Sequence, residues 1–128
     1  MSGRSRRAVW LWGPVVLYMA VIFVLSAMPE PPSPPGIDDK TQHFTGYAGL
    51  GLVTLRATSG ASLTGLGAGS AVAAWAIATA YGASDEYHQS FVPGRSQDLL
   101  DLRADALGAA AAIAAAWLSG ILLRSRVG

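Results

Sequence analysis

The chain has no cysteine, which excludes disulfides, thiolate nucleophiles and every cysteine-ligated metal. Charge is scarce as well. Charged residues make up 13% of the 128 positions, about half the usual share, while hydrophobic residues make up 52%. So little charge cannot clothe a water-facing surface, so lipid is the expected solvent. With a net charge of +1 there is no basic stripe able to follow a phosphate backbone, and nucleic acid is not expected as a partner. Neither a GxSxG elbow nor an HExxH pair is present, which removes the familiar serine-hydrolase and zinc-protease signatures. A chain of this length forms one domain.

What remains is long apolar segments. Arg4, Arg6 and Arg7 precede an apolar run from Ala8 to Met28. The run is longer than a cleavable h-region and is followed by no convincing small-residue cleavage site, so it reads as a retained signal-anchor helix. About 20 residues rising ~1.5 Å each span a hydrocarbon core of ~30 Å. The segment Pro29 to Gly36 reads PEPPSPPG, with five prolines in eight residues, and is expected to be a stiff, extended connector. Further apolar segments predict an all-α integral membrane bundle of about four transmembrane helices, at about 9–28, 40–57, 63–90 and 102–123. Asp38 or Asp39 is placed to cap the second helix. Gly46 and Gly49 are expected to face other helices, because small residues permit close backbone approach. Thr58 to Ser62 is expected to form the turn between the second and third helices.

Basic residues set the expected orientation. Arg4, Arg6, Arg7, Arg56, Arg124 and Arg126 fall on one side of a four-span arrangement, against Lys40, Arg95 and Arg103 on the other. The positive-inside rule makes the first side cytoplasmic, with both termini inside a cell membrane.

The outward side then holds the unusual residues. Both histidines and seven of the eight acids lie in DDKTQHF and SDEYHQSFVPGRSQDLLDLRAD or just beside them. Residues four apart share a helical face, which aligns Asp39 with His43, Asp85 with Tyr81 and Gln89, and Asp101 with Asp105. Asp39, Lys40, His43, Asp85, Glu86, Gln89, Arg95 and Asp101 are expected to converge in one outward-facing site, with Tyr47 and Asp105 as further candidates. Arg95 is expected to couple to Asp85 or Asp101. The competing readings are plainer. Asp85, Glu86 and His88 also suit a solvated helix end, Arg95 and Asp98 an exposed ion pair, and Val92-Pro93-Gly94 a simple turn. Asp105 lies in apolar sequence, where an ionised group is costly, so Lys40, Arg95 or Arg103 is expected as its partner. Two histidines among carboxylates suit zinc or manganese, but their spacing matches no metal motif. No metal or other cofactor is expected on this ground.

Two blocks carry a family resemblance. Asp39, Lys40, His43, Phe44 and Tyr47 form D-K-x-x-H-F-x-x-Y. Asp85, Glu86, Gln89, Phe91, Pro93, Gly94 and Arg95 form D-E-x-x-Q-x-F-x-P-G-R. In this order the blocks resemble those of the VanZ-like membrane proteins, over roughly Asp39 to Ala112. The family pattern ends in an Asp, an Asn four residues on, and Gly-Ala. Here Asp101, Asp105, Gly108 and Ala109 stand in those places, so Asp105 replaces the usual Asn and adds a negative charge. The family takes its name from a protein linked to low-level resistance to teicoplanin, a lipoglycopeptide that acts on the outer face of the bacterial membrane. The resemblance implies a role at the bacterial cell envelope. The outward polar residues imply binding of a membrane lipid, a lipid-linked ligand or a lipoglycopeptide, with a small acid–base enzyme acting on a lipid headgroup as the alternative.

The orientation is testable because the chain lacks cysteine. With single cysteines at Ser33 and Ser125, an impermeant thiol reagent applied to intact cells is expected to label position 33 and spare position 125. The reverse pattern would overturn the assignment.

Overall fold

Residues that favour helix dominate between glycine- and proline-rich connectors, and the chain folds accordingly into four helices without a strand. These are α1 (Gly3–Ser26), α2 (Asp39–Thr58), α3 (Ala68–Gln89) and α4 (Leu99–Val127). The computed structural model describes residues 1–128. Side chains cap three of the four N-termini. Ser2 accepts from Ser5 N in α1, Asp38 from Thr41 N at 2.7 Å in α2, and Asp98 from Leu100 N at 2.8 Å in α4. The proline connector contains no helix, as its missing N–H groups require.

Several boundaries differ from expectation: α1 begins at Gly3 rather than 9, and α4 runs to Val127 rather than 123. α3 begins at Ala68 rather than near 63, because the turn after α2 is longer than Thr58 to Ser62. Gly60 and Ala61 take left-handed conformations (φ 67° and 55°), and Gly65 packs where a side chain would strike the Ser59 carbonyl. Gly67 then starts α3, its N–H bonded to Ser70 Oγ at 3.0 Å. α4 begins at Leu99 rather than 102, because Asp98 supplies the cap.

α2 is the central helix. It touches all three others and packs most extensively on α4. The α2–α4 crossing is close because small residues line it. A side chain at Gly108 would collide with the Phe44 backbone, and one at Gly51 would lie 3.1 Å from the Ala109 backbone. Leu50, Ala74, Ala78 and Ala109 are fully buried around this crossing. Gly49 faces α1, where the Tyr18 ring occupies the space a side chain would need. Gly46 does not face a neighbouring helix: nothing lies within 4 Å of where its Cβ would stand. Its constraint is polar instead, since its carbonyl accepts from Tyr18 Oη at 2.7 Å.

Large apolar side chains are widely exposed, while four carboxylates are buried. Trp10, Val16, Leu17, Val21, Phe23 and Val24 of α1 are exposed, as are Leu107, Leu118, Ile121 and Leu122 of α4. Asp105, Glu86, Asp85 and Asp101 are 0%, 2%, 4% and 5% exposed. Two helices, α1 and α4, are long and apolar enough to cross a membrane. At the end away from the buried acids, Arg56 lies 4.1 Å from the Trp10 ring centroid and donates to the Trp10 carbonyl, tying α2 to α1.

Close packing at Gly108 is directly testable. Gly108→Ala forces α2 and α4 apart, an overpacking expected to cost ~1–3 kcal/mol in detergent unfolding. Gly46→Ala meets open space and is expected to be neutral or stabilising. Equal effects of the two substitutions would mean that the crossing tolerates a wider separation.

Candidate functional site

Three helix termini meet at one end of the bundle: the starts of α2 and α4 and the end of α3. Aligned peptide dipoles make the first two termini electropositive, and Asp38 and Asp98 cap them. From there the side chains descend into the interior in layers.

The outermost layer is centred on Lys40. Its ammonium donates to Asp98 Oδ2 at 2.7 Å and closely to Asp101 Oδ1, and lies 3.8 Å from Asp39. The Lys40 ammonium, followed by the Leu100 N–H, holds the Asp98 carboxyl below the usual carboxylate range. Asp98 therefore pairs with Lys40, not with Arg95 as an exposed ion pair would require. The Asp98 backbone N–H also donates to Glu86 Oε2 at 3.0 Å, which fastens the start of α4 to the end of α3. Asp98 is thus a structural hub that motif spacing undervalued. The signal available for it was the D-L-L-D pattern of a helix start, with Asp98 as the cap.

The next layer is centred on His43. Its Nδ1 lies 2.7 Å from Asp105 Oδ1, a bond in which the ring N–H donates to the carboxylate. Its Nε2 faces Asp101 Oδ2 at 3.7 Å and Asp39 Oδ1 at 4.0 Å. The partner of Asp105 is therefore this histidine, and none of Lys40, Arg95 or Arg103. Lys40 is taken by Asp98 and Asp101, Arg95 bonds the Met28 carbonyl, and Arg103, two residues from Asp105 on α4, points to another face and is exposed. Gly82 makes this possible, because a Cβ there would stand 3.0 Å from Asp105 Oδ2 and 3.2 Å from the Tyr47 ring.

Deeper on the α3 side, Tyr47 Oη donates to Asp85 Oδ2 at 2.9 Å. Asp85 and Glu86 are buried, which rules out a solvated helix end. His88 also leaves solvent in part, stacking on Phe23 with ring centroids 4.3 Å apart. Tyr81, although it shares a helical face with Asp85, bonds to the Met19 carbonyl at 2.6 Å and secures α1. The buried oxygens Asp85 Oδ1, Glu86 Oε1 and Asp105 Oδ2 have no protein donor.

Beside this cluster opens a cleft of about 140 Å³. Its walls include Ile22 and Leu25 of α1, Pro31 and Pro32, Asp39, Gln42, His43 and Tyr47 of α2, and Asp85 and Gln89 of α3. Arg95 stands at its margin after the Val92–Arg95 turn, in which Gly94 is left-handed (φ 81°). Its guanidinium donates to the Met28 carbonyl at 3.0 Å and forms no ion pair with Asp85 or Asp101. The turn holds Arg95 over the end of α1, outside the reach of both acids. Of the ten sequence candidates, Lys40, His43, Glu86, Asp101 and Asp105 form one polar cluster, with Tyr47 and Asp85 adjoining. Asp39, Gln89 and Arg95 line the cleft.

These features define an all-α protein that buries an ionisable cluster at one end of a four-helix bundle. The model of the VanZ/LLP1 family matches residues 15–122, and the chain belongs to that family. No curated protein and no solved structure matches it significantly.

Energetic coupling should follow these contacts. A double-mutant cycle on unfolding stability for His43→Ala with Asp105→Asn is expected to show a coupling of ~0.5–3 kcal/mol. Cycles pairing Arg95→Gln with Asp85→Asn or with Asp101→Asn are expected to be additive. Coupling in the arginine cycles with none in the histidine cycle would contradict the geometry.

Proposed function

We propose that the protein is a multi-pass membrane protein of the bacterial cell envelope, with four spans and both termini cytoplasmic, that binds the polar headgroup of a lipid or lipid-linked ligand. The exposed apolar faces of α1 and α4 around a polar interior support the membrane setting, since an exterior of this kind suits hydrocarbon. The distribution of arginines supports the orientation.

The observation that carries the binding reading is the cleft beside His43. It combines an apolar wall on α1 with the His43, Gln89 and Arg95 side chains, and therefore suits an amphiphile. Its volume of about 140 Å³ decides what part of a ligand enters. Sites for whole drug-sized molecules enclose ~300–1,000 Å³, so a complete lipoglycopeptide does not fit inside. A phosphate- or carboxylate-sized headgroup does, with its acyl portion left along the outer helix surfaces. Arg95 is the cation for that headgroup, because Lys40 is committed to Asp98 and Asp101.

A specific contact favours a second reading. The His43–Asp105 pair is an imidazole held by a carboxylate beside the cleft, an arrangement suited to acid–base chemistry on a headgroup. His43→Gln separates the two readings. An amide keeps a hydrogen bond but cannot shuttle a proton, so the variant should retain ligand under the binding reading and lose turnover under the enzymatic one.

Mass spectrometry of lipids extracted with the detergent-purified protein tests the binding itself. The wild type is expected to carry a defined anionic or lipid-linked species that Arg95→Ala depletes several-fold. Identical lipid profiles, both matching the bulk membrane, would sink the proposal.

A further inference from the structure

The cluster around His43 contains more carboxylates than the neighbouring cations pair. Asp85 and Glu86 form no salt bridge, and Asp105 has only the imidazole of His43. Lys40 is already shared between Asp98 and Asp101. Burying unpaired carboxylates is costly unless they take up a proton or another positive charge joins them.

The geometry points to a site for one divalent transition-metal ion, held by His43 of α2, Glu86 of α3 and Asp105 of α4. One donor atom from each of these residues lies within 4.8 Å of the other two. An ion ~2.1 Å from each nitrogen or oxygen can reach all three with only small side-chain movements. The second observation is independent of this clustering. Glu86 is 2% exposed and Asp105 0%, and Glu86 Oε1 and Asp105 Oδ2 lack any protein donor. Glu86 Oε2 is held by the Asp98 N–H, and His43 Nδ1 meets Asp105 Oδ1, so an ion bound here takes the place of the proton between that nitrogen and oxygen. A cation supplies the partner that each free oxygen lacks.

The donor set narrows the ion. One imidazole with two carboxylates suits Mn²⁺ or Zn²⁺ better than Mg²⁺, which keeps its waters and prefers oxygen alone. Zn²⁺ should bind the tighter of the two by the usual order of affinities. No sequence spacing announces the site, since its three ligands come from three helices. The inference stands whether or not the cleft holds a lipid.

The test uses full-length protein purified in detergent without a polyhistidine tag, stripped with EDTA and freed of chelator. Electron paramagnetic resonance then follows Mn²⁺ binding, with Zn²⁺ as competitor, and circular dichroism checks that each variant remains helical. One Mn²⁺ per chain is expected, displaced by Zn²⁺. Glu86→Gln and Asp105→Asn should each weaken binding by at least ~10-fold, a loss already seen when outer-shell partners of a metal are removed. Asp105→Asn keeps an acceptor for His43, so it carries the test if Glu86→Gln does not fold. Asp39→Asn, outside the ligand set, should weaken binding far less than either. The lipid extraction above, repeated in EDTA, reads the headgroup proposal separately. Absence of Mn²⁺ and Zn²⁺ binding would overturn the site. So would binding that Asp39→Asn weakens and Glu86→Gln leaves intact, because the ion would then sit in the outer group Asp39, His43 and Asp101.

Discussion

The approach of α2 to α4 at Gly108 governs the rest of the arrangement. The Phe44 backbone fills the space that any side chain at this position would need. That contact brings His43, one residue before Phe44, level with Asp105, three residues before Gly108. It also carries Lys40 to Asp101 a turn nearer the helix ends. The His43–Asp105 bond and the Lys40 pairs are thus two rungs of one ladder, with backbone spacing set by glycine. Ala109 against Gly51 continues the close packing further along both helices.

α3 completes the site from the other side and makes its own concession to space. Gly82 leaves room for the Asp105 carboxylate and the Tyr47 ring together. Asp85 and Glu86 then enter the interior, one held by Tyr47 and the other by the Asp98 backbone. An interior of this kind is expensive. Each buried oxygen without a donor forgoes ~1–3 kcal/mol or more, and a fold maintained only for stability gains nothing from three of them. Concentration of that cost beside a cleft is the physical reason to read this end as functional. The opposite end has no such expense and is held by Arg56 on Trp10 and by apolar contacts.

The cleft and the cluster have complementary parts. Arg95 meets the cleft from a turn whose glycine permits its geometry, and its single bond to Met28 leaves other donors available. His43 belongs to both regions, since it lines the cleft and contacts the carboxylates behind it. An event at either region would therefore be felt at the other through one imidazole.

Composition alone determined the helical class, because long apolar runs interrupted by proline and glycine have few other ways to satisfy their backbone. Residues four apart on α2, and again on α4, likewise placed Asp39 beside His43 and Asp101 above Asp105, since helical periodicity is local. The two motif blocks were sufficient to indicate the family. Tertiary structure decided the partnerships. Lys40 chose Asp98 and Asp101, Arg95 chose the Met28 carbonyl just past α1, and Asp105 chose His43, because these choices depend on how far each helix is offset along its neighbour. That offset is set by which glycines meet which backbones. A linear pattern of charges contains no information about it until the helices have packed.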